Sequence, residues 1–194
     1  MDREIWLVRH AESEWNALGR WQGQADPALS AHGRAQAAAL AETFAGERFD
    51  ALVASDLVRA RETAEIVGAR LGLAPRLDVR LRERDAGCWA GLTHEEIAAR
   101  WPEELARVRR HDPLGRPVGG ESLVDVAARA QGFFRELASE SSLARVVVVT
   151  HGGLMRSLVR ELAAIPNAHV VRTRLGTLVG DGLAFVPQGG VTPR

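Results

Sequence analysis

Ile5-Trp6-Leu7-Val8-Arg9-His10-Ala11-Glu12 is the stretch on which the reading of this chain turns. Four apolar residues form a short buried strand, and an arginine and a histidine stand at its exit. In an α/β fold, ligands collect at the carboxyl ends of the strands. Arginine offers a planar fork that matches phosphate oxygens. Histidine is able to act as a nucleophile that forms a covalent intermediate. Val146–Thr150 followed by His151-Gly152-Gly153 repeats the arrangement. There an apolar strand delivers a histidine, and a helix begins at once with free backbone N–H groups that favour an anion.

Outward from these two strand exits, strand and helix patterns alternate. Ser30 caps a helix over Ala31–Phe44, closed near Gly46. Phe49–Ala54 reads as a strand, and Asp56 as the cap of a helix from Leu57 to Leu71, closed by Gly72. Arg59 falls in the first turn of that helix. A cation there is unfavourable against the helix dipole, so an anionic partner would account for it; Arg61 reads as a solvated arginine paired with a nearby acid. Leu77–Leu81 is a short strand. Thr93-His94-Glu95-Glu96 has capping-box spacing, and Pro102 suits the first turn of another helix. Gly115 to Gly120 is a loop, Leu123–Ala138 a long helix, Val146–Val149 a central strand covered on both faces, and Leu154–Ala163 a further helix. Val170–Val186 reads as two strands around Gly180-Asp181-Gly182, with 188–194 a loose tail. The alternation argues an α/β fold with a mostly parallel sheet in a single domain of 1–194.

Net charge is zero and no run of like charge appears, so neither nucleic acid nor a membrane surface is an expected partner. No signal-peptide or transmembrane pattern is legible, and the single cysteine, Cys88, excludes an internal disulfide and a cysteine-based zinc cluster. A cytoplasmic location is the expectation. All 25 basic residues are arginine. That excludes a P-loop lysine, a Schiff-base lysine and a kinase-type lysine, so phosphate chemistry must run on arginine and histidine.

A set of segments in this order resembles the histidine phosphatase superfamily, the phosphoglycerate-mutase-like fold. They are Leu7-Val8-Arg9-His10-Ala11-Glu12, Asn16, Gln22-Gly23, Asp26-Pro27-Ala28-Leu29-Ser30, Ser55-Asp56-Leu57-Val58-Arg59-Ala60 and Leu81-Arg82-Glu83. Gly87-Cys88-Trp89-Ala90-Gly91, Gly119-Gly120-Glu121-Ser122 and Thr150-His151-Gly152 complete it. The resemblance covers nearly the whole chain. It implies a three-layer sandwich with a mostly parallel central sheet flanked by helices.

It further implies that His10 is the phosphorylated nucleophile, that Arg9, Arg59 and His151 hold the phosphate, and that Glu83 is the proton donor and acceptor. Asn16, Gln22, Gly23 and Gly152 are implied as substrate-binding groups. His94, Arg109 and Arg110 are weaker candidates for specificity, within a segment of about 92–120 that covers the pocket. Without the resemblance, Glu83 would read as part of a solvated run, Arg82-Glu83-Arg84-Asp85, and Asn16 as a helix or turn cap. Two arginines and a protonated His151 would compensate the charge of a transferring phosphoryl group without a metal. His10 must present an unprotonated nitrogen, so its other nitrogen is expected to donate to a backbone carbonyl. No cofactor and no metal is expected.

The implied activity is a phosphomonoesterase acting on a small phosphorylated substrate; a homodimer is left open. The runner-up is a bisphosphoglycerate-dependent phosphoglycerate mutase. The short stretch from Gly91 to Glu121 and the presence of Gln22 favour the phosphatase, whereas Arg109-Arg110 leans the other way. A non-catalytic phospholigand-binding or regulatory module ranks lower, because His10, Arg9, Arg59, Glu83 and His151 are all present. A phosphohistidine-protein phosphatase is disfavoured by Glu83. Ala11, Asp85, Ala90 and Leu175-Gly176-Thr177 depart from the usual pattern and leave the specific substrate open.

Overall fold

The computed structural model describes residues 3–159, 165–179 and 182–191, with 176–179 and 182–191 as backbone only. Strand β1 (Arg3–Arg9) alternates its side chains across the sheet, so Ile5 and Leu7 enter one core and Trp6 and Val8 the other. β2 (Ala51–Ala54), β3 (Arg76–Leu77) and β4 (Arg145–Thr150) run parallel to it, and β5 (Val170–Val179) and β6 (Gly182–Val191) close the far side. The strand order is β3-β2-β4-β1-β5-β6, and only the β1–β5 and β5–β6 pairings are antiparallel. β4 lies between β2 and β1, which is why Val146–Val149 is apolar on both faces.

Helices α2 (Ala31–Thr43) and α3 (Val58–Leu71) cover the Trp6 face through Ala37, Leu40, Phe44, Ala60, Ala64 and Val67. α6 (Leu123–Ser139) and α7 (Gly152–Leu158) cover the Ile5 face through Val126, Phe133, Phe134, Leu137, Leu154 and Met155. The result is the three-layer sandwich. A third, smaller core of Ala86, Trp89, Ile97, Leu105 and Val108 belongs to α4 (His94–Arg100), α5 (Pro102–Arg109) and the segment before them. α1 (Glu14–Ala17) is a single turn after the β1 exit.

Several local expectations need correction. Asp56 does not cap α3. Leu57 is the cap residue without a side-chain bond, Asp26 Oδ1 accepts from the Val58 N–H at 2.6 Å, and the Asp56 carboxylate pairs with Arg82 at 2.8 and 2.5 Å. The expected strand over Leu77–Leu81 is a two-residue strand followed by a 3₁₀ turn, Val79–Leu81, whose first amide is held by Asp78. β6 runs through Val191, so 188–191 belong to the sheet and not to a loose tail; 192–194 lie outside the described residues. So do Gly180-Asp181 and 160–164, the end of the helix expected over Leu154–Ala163. That helix begins two residues earlier than expected, directly after His151.

Candidate active site

The parallel strands β1, β2 and β4 all end on one edge, and the site is built there. Arg9 is the register partner of Thr150, and the His10 N–H donates to the Thr150 carbonyl at 2.9 Å, so the two strand-exit histidines are brought together by the ladder itself. Their ring centroids stand 5.0 Å apart. His10 Nδ1 lies 2.6 Å from the Ala11 carbonyl. A carbonyl only accepts, so Nδ1 carries the proton and Nε2 is left bare. Burial and the cationic Arg59 and Arg9 hold the His10 imidazole well below its ordinary titration range, which keeps it neutral.

His151 is also fully buried, and burial together with Arg59 and His10 depresses it in the same way. The expectation of a protonated His151 therefore does not hold for the unliganded site. Its Nε2 lies 2.8 Å from Ser55 Oγ, which itself accepts from the Leu57 N–H at 3.3 Å. The serine hydroxyl keeps its proton available for Nε2, and in that tautomer the imidazole carries its own proton on Nδ1. Among the described residues Nδ1 has no partner.

Arg59 is buried without exposed surface, and its two terminal nitrogens donate to the carbonyls of Ala25 and Gly23, each at 2.8 Å. Two backbone carbonyls, and not an anion, hold this first-turn cation in place. Burial lowers its pKa to about 10, against the pull of Glu83 and Asp26, so it stays charged at neutral pH. Arg9 donates to the Ile165 carbonyl. The Nε groups of both arginines lack a partner among the described residues.

Glu83 comes from the loop after the 3₁₀ turn. Its Oε2 accepts from the Gly153 N–H at 3.0 Å and its Oε1 from the Arg84 N–H at 2.7 Å. One amide at the α7 N-terminus, expected to meet a ligand, is thus taken by Glu83. The loop is anchored from below: Arg129 donates to the Arg80 and Glu83 carbonyls at 2.8 and 2.9 Å, and its partner Glu121 accepts from the Asp85 N–H. This gives the Gly-Gly-Glu-Ser segment a physical role, which is holding the Glu83 loop.

A cleft of about 270 Å³ opens over His10, lined by Arg9, Arg20, Arg59, Arg84 and Arg156, with Glu83 as its one carboxylate among the described residues. Asn16, Gln22 and Gly23 line it as expected. Asn16 is also a cap: it completes a capping box with Ser13, and its Oδ1 accepts from Ser13 and from Asn167 Nδ2. Gln22 Oε1 accepts from Ser13 Oγ at 2.8 Å. One buried serine therefore orients both side chains, and the carbonyl ends being held leaves the NH₂ ends for a ligand. Gly152 and His151 are not among the residues lining the cleft; a Cβ on Gly152 would make only an ordinary contact with Arg9 Nε, at 3.4 Å.

The structure does not bring His94 or Arg110 to the cleft. His94 is the first residue of α4, and Arg110 is exposed at the end of α5. Arg109 lines an adjoining cavity of about 240 Å³ with Trp21, Arg84 and His111. Sequence reasoning missed Ser13, Arg84, Arg129, Gly153 and Arg156. Arg84 lay inside a charge run and Arg156 on a helix face, and neither position carries a spacing signal.

Among the described residues no cluster of three His, Cys, Asp or Glu side chains is placed to hold a metal ion, and no helix is long and apolar enough to cross a membrane. A glucosyl-3-phosphoglycerate phosphatase of Mycobacterium tuberculosis is 43% identical over 176 residues, covering 86% of this chain and 78% of the relative. A 2,3-bisphosphoglycerate-dependent phosphoglycerate mutase of Brucella anthropi is 33% identical over 184 residues, covering 91% and 89%. The solved mycobacterial glucosyl-3-phosphoglycerate phosphatase in complex with VO₃ superposes with a TM-score of 0.86 at 37% identity, covering 96% of this chain and 98% of that one. The sequence model of the histidine phosphatase superfamily (branch 1) matches residues 5–180. On that match and these relatives, the chain belongs to the histidine phosphatase superfamily, branch 1.

Proposed function

We propose that this protein is a metal-independent phosphomonoesterase that works through a phosphohistidine on His10. The observation that carries the reading is the His10 imidazole: Nδ1 is tied to the Ala11 carbonyl, Nε2 is bare, and the ring is held neutral beside two arginines. A neutral nitrogen in a cationic pocket is what attack on a phosphate ester requires. His10 Nε2 forms the N–P bond as the ester P–O bond breaks, and Glu83 gives its proton to the departing oxygen. Glu83, now a carboxylate, takes a proton from water as that water displaces His10 from phosphorus.

Arg9, Arg59 and His151 hold the non-bridging oxygens. Their unpartnered Nε and Nδ1 donors fit that role, because charge-assisted donors fixed in advance need no reorganisation as charge develops. Asn16 and Gln22 offer their amide NH₂ groups, and Gly23 positions Arg59 through its carbonyl. The relatives support this reading, since one is a phosphatase and its solved neighbour binds VO₃. A cytoplasmic setting agrees with the one free cysteine.

Purified protein is expected to hydrolyse p-nitrophenyl phosphate in EDTA, and His10→Ala to abolish that activity. Loss of wild-type activity to the chelator would overturn the metal-free step. Phosphoglycerate mutase is the second reading, favoured by Arg109 in the adjoining cavity. Incubation with 3-phosphoglycerate and bisphosphoglycerate separates the two: the phosphatase releases inorganic phosphate, whereas a mutase yields 2-phosphoglycerate.

A further inference from the structure

The catalytic cleft does not end at its own walls. Trp21, Arg84 and Arg156 line both it and the 240 Å³ cavity beside it. His111, Leu123 and Arg156 in turn line both that cavity and a third one of about 320 Å³. Arg156 faces all three, so they form one groove leading away from His10. The far part is apolar. Leu123, Val124, Ala127 and Ala128 form a stripe on one face of α6, ending at Gln131 and facing Pro113. At 1.5 Å per residue the stripe is about 12 Å long. The polar residues His111, Gln131, Arg156 and Ser157 stand around the stripe, and Ser157 Oγ donates to the Leu154 carbonyl at 2.7 Å.

His111 is the second sign of a built groove. It sits just past the end of α5 at φ +55°, a conformation that glycine adopts without cost. From that turn its side chain lines the groove. Val124, also a lining residue, is 46% exposed, an apolar surface left open among the described residues.

We propose that this groove is a leaving-group subsite, and that the substrates are phosphomonoesters of alcohols carrying an apolar body. The inference rests on the phosphomonoesterase reading and names the substrate class of that same site. The phosphoryl group sits over His10, the ester oxygen lies near Glu83, and the apolar body passes Arg156 onto the α6 stripe. Sugar alcohols gain little there, since each hydroxyl laid on the stripe loses its water without a new partner.

The test is a series of n-alkyl phosphates from ethyl to octyl, below micelle-forming concentrations. All leave as primary alkoxides, so the demand on Glu83 is constant and only the chain length varies. A fully buried CH₂ contributes about fourfold. Allowing for an open groove, kcat/KM is expected to rise about a hundredfold from ethyl to octyl phosphate. Val124→Asp and Ala128→Phe, both at exposed positions, should remove most of that rise while leaving ethyl phosphate unchanged. A flat series, or a rise that survives both substitutions, overturns the subsite. Failure to hydrolyse any member would sink the phosphomonoesterase reading instead. Calorimetry with ethyl- and octylphosphonate then asks the groove question separately: octylphosphonate binding at least tenfold tighter, and losing that margin in Val124→Asp, upholds the groove, and equal affinities reject it.

Discussion

A methyl group on Gly153 would sit 2.1 Å from Glu83 Oε1. The Gly153 amide holds the other carboxylate oxygen, so Gly153→Ala must push aside the one acid in the cleft. Misplacing a catalytic group by about 1 Å costs on the order of a hundredfold. The loss should fall on alkyl phosphates, whose alkoxides need a proton, and spare p-nitrophenyl phosphate; Glu83→Gln should show the same split. Equal losses on both substrates would place Glu83 outside proton transfer. The two histidines carry a second prediction. Both are depressed from an ordinary value near 6.5, so below that pH the unfolded chain binds protons that the folded chain refuses. Stability must then fall with pH from about 6.5 downward, by up to about 1.4 kcal/mol per pH unit for each histidine. Half-buried His169 adds in the same direction. Urea midpoints between pH 7.0 and 5.5 measure this slope, and His10→Asn should reduce it; a flat profile would contradict buried neutral imidazoles. Strand exits made His10 and His151 legible in the sequence. Their charge state was not, because it depends on burial and on Arg59 arriving from another element.

At the scale of elements, the first turn of α2 braces the loop that follows His10. Ser30 Oγ accepts from the Gly33 N–H at 2.9 Å and donates to Glu12 Oε1 at 2.7 Å, and the Ala11 N–H reaches Thr63 of α3. Gly33 faces Glu12 so closely that a Cβ would lie 1.8 Å from its carbonyl oxygen. Two effects compete in Gly33→Ala. Helix propensity favours alanine by about 1 kcal/mol. Overpacking against a backbone carbonyl costs typically about 1–3 kcal/mol. The contact is backbone on both sides, so the clash should win: the urea midpoint should drop and hydrolysis weaken as the Ala11 carbonyl moves off His10. A stabilised variant would mean that the loop yields freely. The Ser30 cap was legible because a cap and its helix are adjacent in sequence. Asp56 was misread for the converse reason: Asp26 approaches Val58 from 32 residues away, and Asp56 is drawn to Arg82 instead. The strand expected over Leu77–Leu81 had the wrong bounds because β3 is an edge strand of two exposed residues, Arg76 and Leu77, with no hydrophobic alternation to mark where it starts and stops.

For the whole molecule, the question is whether α4, α5 and the segment before them fold with the sheet or on their own terms. Their core, Ala86, Trp89, Ile97, Leu105 and Val108, shares no residue with the two clusters that flank the sheet. Trp21 joins it edge-on to Trp89 at 5.2 Å, and Trp21 is also a wall of the cleft. The sequence reading expected a segment of about 92–120 over the pocket, but no residue of that segment lines the catalytic cleft, and the small core starts at Ala86, which was not legible because Trp89 and the glycines around it read only as a motif. Five buried residues make a small core, so the α4–α5 amides should exchange through a local opening below the global unfolding free energy. Ile97 is buried without exposed surface at its centre. Ile97→Ala should lower that opening free energy by about 2–5 kcal/mol and leave the β4 amides unchanged. Native-state hydrogen exchange reads both at once. If β4 protection falls by the same amount, these helices and the sheet are one cooperative unit. If only α4–α5 loosen, the groove wall is a separable element, and the same variant should raise KM for long alkyl phosphates more than for ethyl phosphate, since Val108 and His111 wall the groove and not the phosphate site.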